Sequence, residues 1–223
     1  MRLLPALGLI LAAALPGGGQ QPVGRTAAAS SPASSGTTPT STAATPLPVA
    51  DLDDLRAHPL RWRDRPVRVT VQLGDEREAW RSGLTRFDPK RFRAFAAWSD
   101  TARLWHEDAW ADPLPGLYVR RTDAAARALS GAGAYGRLEL DLVLRAVSGG
   151  ELWIEVTAAR RLPRSVGEGT LIHAGRALDL AADGHPAAAA AEYERALAAP
   201  LPEGHRRALE DERDQALVRA TRD

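Results

Sequence analysis

Arg137-Leu138-Glu139-Leu140-Asp141-Leu142-Val143-Leu144-Arg145 and Glu151-Leu152-Trp153-Ile154-Glu155-Val156-Thr157-Ala158 decide the fold. In both stretches an apolar residue returns at every second position, the period of a strand with one buried face. The inward set is Leu138, Leu140, Leu142 and Leu144 in the first, and Leu152, Ile154, Val156 and Ala158 in the second. Ser148-Gly149-Gly150 joins them as a hairpin, and parity constrains its register. A two-residue Gly149-Gly150 turn pairs Ser148 with Glu151 and sets the leucine face of one strand against the polar face of the other. A three-residue loop, Ser148 to Gly150, instead places Ala146 opposite Leu152 and Leu144 opposite Ile154. The alternation therefore predicts that loop, with a glycine in the left-handed conformation and Arg145 opposite Trp153 on the outer face.

Upstream, Val67, Val69, Val71 and Leu73 repeat the same alternation and open the β region. Asp51-Leu52-Asp53-Asp54-Leu55 reads as a short helix with acids in its first turn, ended by Pro59. Phe92 to Ser99 is open between a strand and a helical turn, since Phe92 and Phe95 fit three-residue spacing. Leu117-Tyr118-Val119-Arg120 is a short strand, and Asp123 to Ser130 a helix stopped by Gly131. The resulting order is strand, strand, strand, helix, strand, strand. Over about 51–163 this resembles the oligonucleotide/oligosaccharide-binding (OB) fold, as in small bacterial envelope barrels. It implies a five-stranded barrel whose loop between strands one and two and whose strands two and three hold ligands.

Downstream, Leu171, Ala174, Leu178 and Ala181 form a helical stripe behind Thr170, read as the cap. Gly184 stops that helix and Pro186 starts a second. A third, from Glu203 to Thr221, sets Leu209, Ala216 and Ala220 on one side as a capping helix. Gly184, Ala189, Tyr193 and Ala196 resemble the signature of a tetratricopeptide repeat, in which small residues let two helices approach and an aromatic fills the groove. His173 stands where that family has an aromatic, and Pro202 falls one place late. One repeat cannot be stable alone, so it must pack on the barrel or on another chain. The expected fold class is α+β: a five-stranded OB-like barrel with an intervening helix (51–165), then a helical hairpin and capping helix (167–223).

Met1-Arg2 followed by the apolar run Leu3 to Leu15 matches a secretory signal. Uncleaved, that run is a weak membrane anchor, too short to span; the plainer alternative is a buried N-terminal helix. Residues 16–50, dominated from Thr26 to Pro48 by Ala, Ser, Thr and Pro, read as a flexible linker. The expected address is therefore exported: periplasmic, cell-envelope or extracellular.

With 44% hydrophobic and 26% charged residues the remainder is ordinary globular material. The net charge of +1 excludes a global field toward nucleic acid or membrane. Residues 50–165 carry +3 and residues 166–223 carry −4, enough for mild mutual attraction. Without cysteine there is no disulfide, thiolate nucleophile, thiolate zinc site or acylated lipoprotein cysteine. Lys90, the only lysine, leaves little room for Schiff-base or phosphate-loop chemistry. His58, His106, His173, His185 and His205 show no metal-ligand spacing, and no nucleophile, carboxylate pair or dinucleotide motif stands out. No cofactor or metal is expected, and the chain reads as a non-enzyme.

Arginine and tryptophan are densest from Trp62 to Trp110. Guanidinium groups suit phosphate or carboxylate, and indoles suit a base or sugar ring. The candidate groove is Arg86, Arg91, Arg93, Trp98 and Tyr118. Against it stand Asp75, Glu76, Glu78, Asp88 and Asp100 among the arginines, and the alternative that Trp98, Trp105 and Trp110 are core or interface anchors. The first functional expectation is an exported, non-catalytic envelope protein working through an unidentified protein partner. The alternative is a module binding an anionic glycan or single-stranded nucleic acid, with nucleic acid disfavoured for an exported chain. Membrane contact is expected only through the N-terminal segment.

Overall fold

The computed structural model describes residues 46–80, 86–148 and 150–222. The apolar run, nearly all of the linker, residues 81–85 and Gly149 lie outside them, and so do the export and linker readings. The chain is α+β. Its elements are α1 (Leu52–Ala57), α2 (Pro59–Trp62), β1 (Pro66–Arg77), β2 (Phe92–Ser99), α3 (Glu107–Ala111), β3 (Leu114–Arg120), α4 (Ala124–Ala132), β4 (Arg137–Ser148), β5 (Glu151–Arg161), α5 (Glu168–Ala182), α6 (Pro186–Leu197) and α7 (Glu203–Ala220). Among the described residues no helix is long and apolar enough to cross a membrane.

The five strands close into a barrel in the order β1-β2-β3-β5-β4. Neighbours are antiparallel except β3 and β5, whose parallel pairing runs from Leu117 opposite Ile154 to Val119 opposite Val156. The alternating aliphatics line the interior: Val67, Val69, Val71, Leu138, Leu140, Leu142, Leu144 and Ile154 are fully buried in one cluster. Burying each such side chain contributes about 1.5–3 kcal/mol. Ala125, Ala126 and Leu129 of α4 and Leu52 and Leu55 of α1 join the same core. Arg68 N–H donates to Pro48 O and Ala50 N–H to Arg68 O, so the incoming chain covers the part of β1 that β2 does not reach.

The β4–β5 hairpin departs from the expected register. Ser148 pairs with Glu151, Val147 with Leu152 and Ala146 with Trp153, the pattern of a two-residue turn, with Gly150 at φ +81°. Leu144 nevertheless faces Ile154, as alternation demands. Arg145 is an extra residue in β4, a bulge that resets parity before the leucine face begins. It does not oppose Trp153; its Nε–H donates to Glu155 Oε2 at 2.8 Å. A second bulge at Thr157 turns Ala158 outward and brings Ala159 toward the core instead.

Phe92–Ser99 is a strand, and β3 begins earlier than expected, at Leu114. α4 continues past Gly131 to Ala132, where Gly133 adopts φ +74°. The cap of α5 is Gly167, not Thr170. The helix starts at Glu168, which turns Thr170 toward α6, where its hydroxyl donates to Ala196 O at 3.4 Å. α5 and α6 meet through Ala174, Ala177, Ala189, Ala196 and Tyr193, and α7 adds Leu209 and Ala216. One member of this tail core comes from elsewhere: Trp105, in the connection between β2 and β3. Barrel and tail belong to one compact unit.

Candidate functional site

Tyr118, on the outer face of β3, is buried beneath the chain's own β1–β2 connection. Phe87 stacks on its ring at 4.3 Å and Trp80 meets it edge-on at 5.5 Å. Trp80 Nε1–H donates to Phe87 O at 2.7 Å, which ties the two ends of that covering segment together. Burial raises the Tyr118 phenol above its ordinary range. Trp98 is buried on β2 and stacks on Tyr135 at 6.0 Å. Arg93 clasps the Glu76 carboxylate and reaches the Ser130 hydroxyl of α4; this hydrogen bonding holds Glu76 below the usual carboxylate range. Arg86 and Arg91 are exposed. The five sequence candidates therefore do not converge on one groove. Two arginines face solvent, one is engaged, and both aromatic rings are covered.

Trp110 offers an aromatic surface that Trp98 and Tyr118 do not. It stands on α3, half exposed at 50%. A helix of five residues has no stability of its own, and α3 is fixed from outside. Trp98 Nε1–H donates to Trp110 O at 3.1 Å. Arg56 of α1 binds the Asp112 carboxylate with both contacts at 2.8 Å and also reaches Asp112 O. An indole held this way loses little freedom when covered, the property of interface anchors.

The segment carrying α3 is also locked to the tail. Glu212 of α7 is nearly buried and accepts from Trp105 Nε1–H at 3.0 Å, Arg103 at 3.3 Å and His106 Nε2 at 3.1 Å. The Tyr193 hydroxyl also bonds it; burial and that carboxylate push the phenol well up. With four donors on its two oxygens, Glu212 is saturated and is a structural tie rather than a free base. Two helical turns earlier, His205 is 4% exposed, with Nε2 at 3.2 Å from both Ala102 O and Gln72 Nε2. Gln72 donates to Ser99 O and Ala102 O, and its Oε1 is buried without a partner. Desolvation lowers the His205 pKa from 6.5, so the ring is neutral at neutral pH. Beside it a cleft of about 360 Å³ is lined by Asp100, Arg103, Arg137, Glu203 and His205 among others. Arg137 is bidentate on Asp100 there, at 2.6 Å for both bonds. Among the described residues no three of His, Asp and Glu gather as a metal site requires.

Sequence reasoning missed His205 and Glu212, although a signal exists. His205, Leu209, Glu212 and Ala216 follow helical spacing, so two polar residues interrupt the apolar stripe of α7. Tyr135, a non-glycine residue at φ +60°, carries no comparable signal. Compared with known proteins, the chain matches no family model, no curated sequence and no solved structure.

Proposed function

We propose that this is an exported, non-catalytic envelope protein that works by binding another protein, with α3 as its contact point. The observation that carries the reading is Trp110: a half-exposed indole on a helix fixed by Trp98, Asp112 and the Arg56 pairing. The barrel order and the helix between β3 and β4 support kinship with OB barrels of the envelope. Gly184 at φ +79° followed by buried Ala189, Tyr193 and Ala196 supports the tetratricopeptide-like reading of the hairpin. In that reading the tail serves the barrel, steadying the segment that carries Trp110. The alternative, an anionic glycan or single-stranded nucleic acid, draws support from exposed Arg86 and Arg91 but none from the covered rings of Trp98 and Tyr118. The test places a photo-crosslinking residue at position 110 of the full chain in its native cells. A single discrete adduct, absent when the probe replaces exposed Arg176, supports the reading. No adduct, or the same ladder from both positions, overturns it.

A further inference from the structure

Six arginines of the barrel are spent on carboxylates: Arg56 on Asp112, Arg68 on Asp141, Arg93 on Glu76, Arg120 and Arg145 on Glu155, Arg137 on Asp100. At one corner, four other cations gather. Arg86, Lys90, Arg91 and Arg121 are all exposed, and none makes an ion pair among the described residues. They are held together by the backbone. Arg121 N–H donates to Arg91 O at 2.9 Å, one step beyond the pairing of Phe92 with Arg120, so Arg91 and Arg121 stand opposite each other at the ends of β2 and β3. Arg121 Nε–H donates to Pro89 O at 2.9 Å. Asp88 supplies the only acid within the turn and uses Oδ1 on the Lys90 amide at 2.9 Å. Arg121 also feels Glu76, whose carboxylate Arg93 already clasps. Like charges directly opposed across a strand pair are destabilising. An external anion would relieve them.

We propose that this corner docks the protein onto the anionic face of a lipid bilayer. Three observations favour that occupant. The cations occupy a turn and two strand ends, with Arg86, Lys90, Arg91 and Arg121 all turned to solvent, the arrangement that a broad anionic surface can meet at once. The corner offers no free ring for a base or sugar, because Phe87 is stacked on Tyr118 and Trp80 packs beside it. The same chain carries the apolar run Leu3 to Leu15, and a weak apolar anchor holds stably when a second signal such as a basic patch joins it. This surface is distinct from Trp110 and stands whether or not α3 binds a protein.

The test is flotation of the full chain with neutral phosphatidylcholine vesicles and with vesicles containing about one third phosphatidylglycerol. The ratio of the two removes the contribution of the apolar run. The expected result is a preference for anionic vesicles that falls roughly fivefold for each of the four charges removed by alanine, and that disappears in molar salt. Arg91→Lys with Arg121→Lys retains the preference, whereas Arg164→Ala with Arg176→Ala, exposed arginines elsewhere, leaves it unchanged. If the quadruple variant does not fold, Arg91→Glu alone gives the same readout. Equal binding to both vesicles, or a preference that survives these substitutions, overturns the proposal. Binding of heparin or single-stranded DNA that depends on the same residues, without vesicle binding, also overturns it.

Discussion

The indole N–H of Trp105 donates to Glu212 Oε2 at 3.0 Å, joining the β2–β3 connection to the last helix across 107 positions of sequence. Glu212 is 12% exposed and takes Arg103, His106 and Tyr193 on the same carboxylate. Glu212→Ala strands those donors, and removing one partner of a buried charged network costs about 3–5 kcal/mol. Glu212→Gln, which keeps an acceptor, costs less. Denaturant midpoints check this, and a Glu212→Ala protein within 1 kcal/mol of the parent, about the value of an exposed pair, contradicts it.

His205 sets an acid limit on stability. Its folded pKa lies below the 6.5 of the free side chain, mainly through desolvation, with Asp100, Arg137 and Arg103 as the nearby charges. Between those two values the unfolded chain binds more protons, so stability rises with pH. The contribution is complete above pH 6.5 and is lost as pH falls below it. Glu76 and Glu192, both held below 4.5 by hydrogen bonds, add a separate loss at lower pH. Thermal midpoints fall between pH 7 and pH 5 in the parent and flatten over that range in His205→Gln. A parallel fall in both assigns the step to another group.

The Arg145 bulge makes a deletion experiment discriminating. Removing Arg145 leaves Ala146 opposite Trp153 directly beside Leu144 opposite Ile154, a regular ladder. The loss is the bond to Glu155, about 2 kcal/mol for a charged hydrogen bond. Removing Val143 instead moves every inward leucine on one side of the cut to the wrong face. Circular dichroism and melting should show a folded protein in the first case and none in the second. Equal outcomes count against the assigned register.

Ala189 and Ala196 are fully buried between α5, α6 and their neighbours. Leucine at either site overpacks the hairpin and costs about 1–3 kcal/mol. The same change at exposed Ala188 leaves the melting temperature within a degree or two. Similar shifts at all three sites contradict the close helix approach.

The barrel was readable because alternation survives bulges. Val67 to Leu73 and Leu138 to Leu144 face inward as their spacing demands, and Leu144 meets Ile154 although the turn is shorter than parity requires. Arg145 itself was invisible, since a bulge residue looks like any other outward position. The site was harder. Tyr118 and Trp98 alternate as outer-face residues, and nothing local announces that Phe87 or Tyr135 covers them. Arg93 was separated from free Arg91 only by Glu76, a carboxylate on another strand. His205 and Glu212 interrupt a helical stripe, but apart from Tyr193 their partners lie more than a hundred residues upstream.

Trp105 imposes an order on biosynthesis. The ribosome releases it with the first three strands, and its burial waits until α5, α6 and α7 have followed. Until then a large apolar ring stays in water on a newly closing barrel, a handle for a chaperone or for a neighbouring nascent chain. A message truncated after β5 would deliver a barrel with that handle permanently bare.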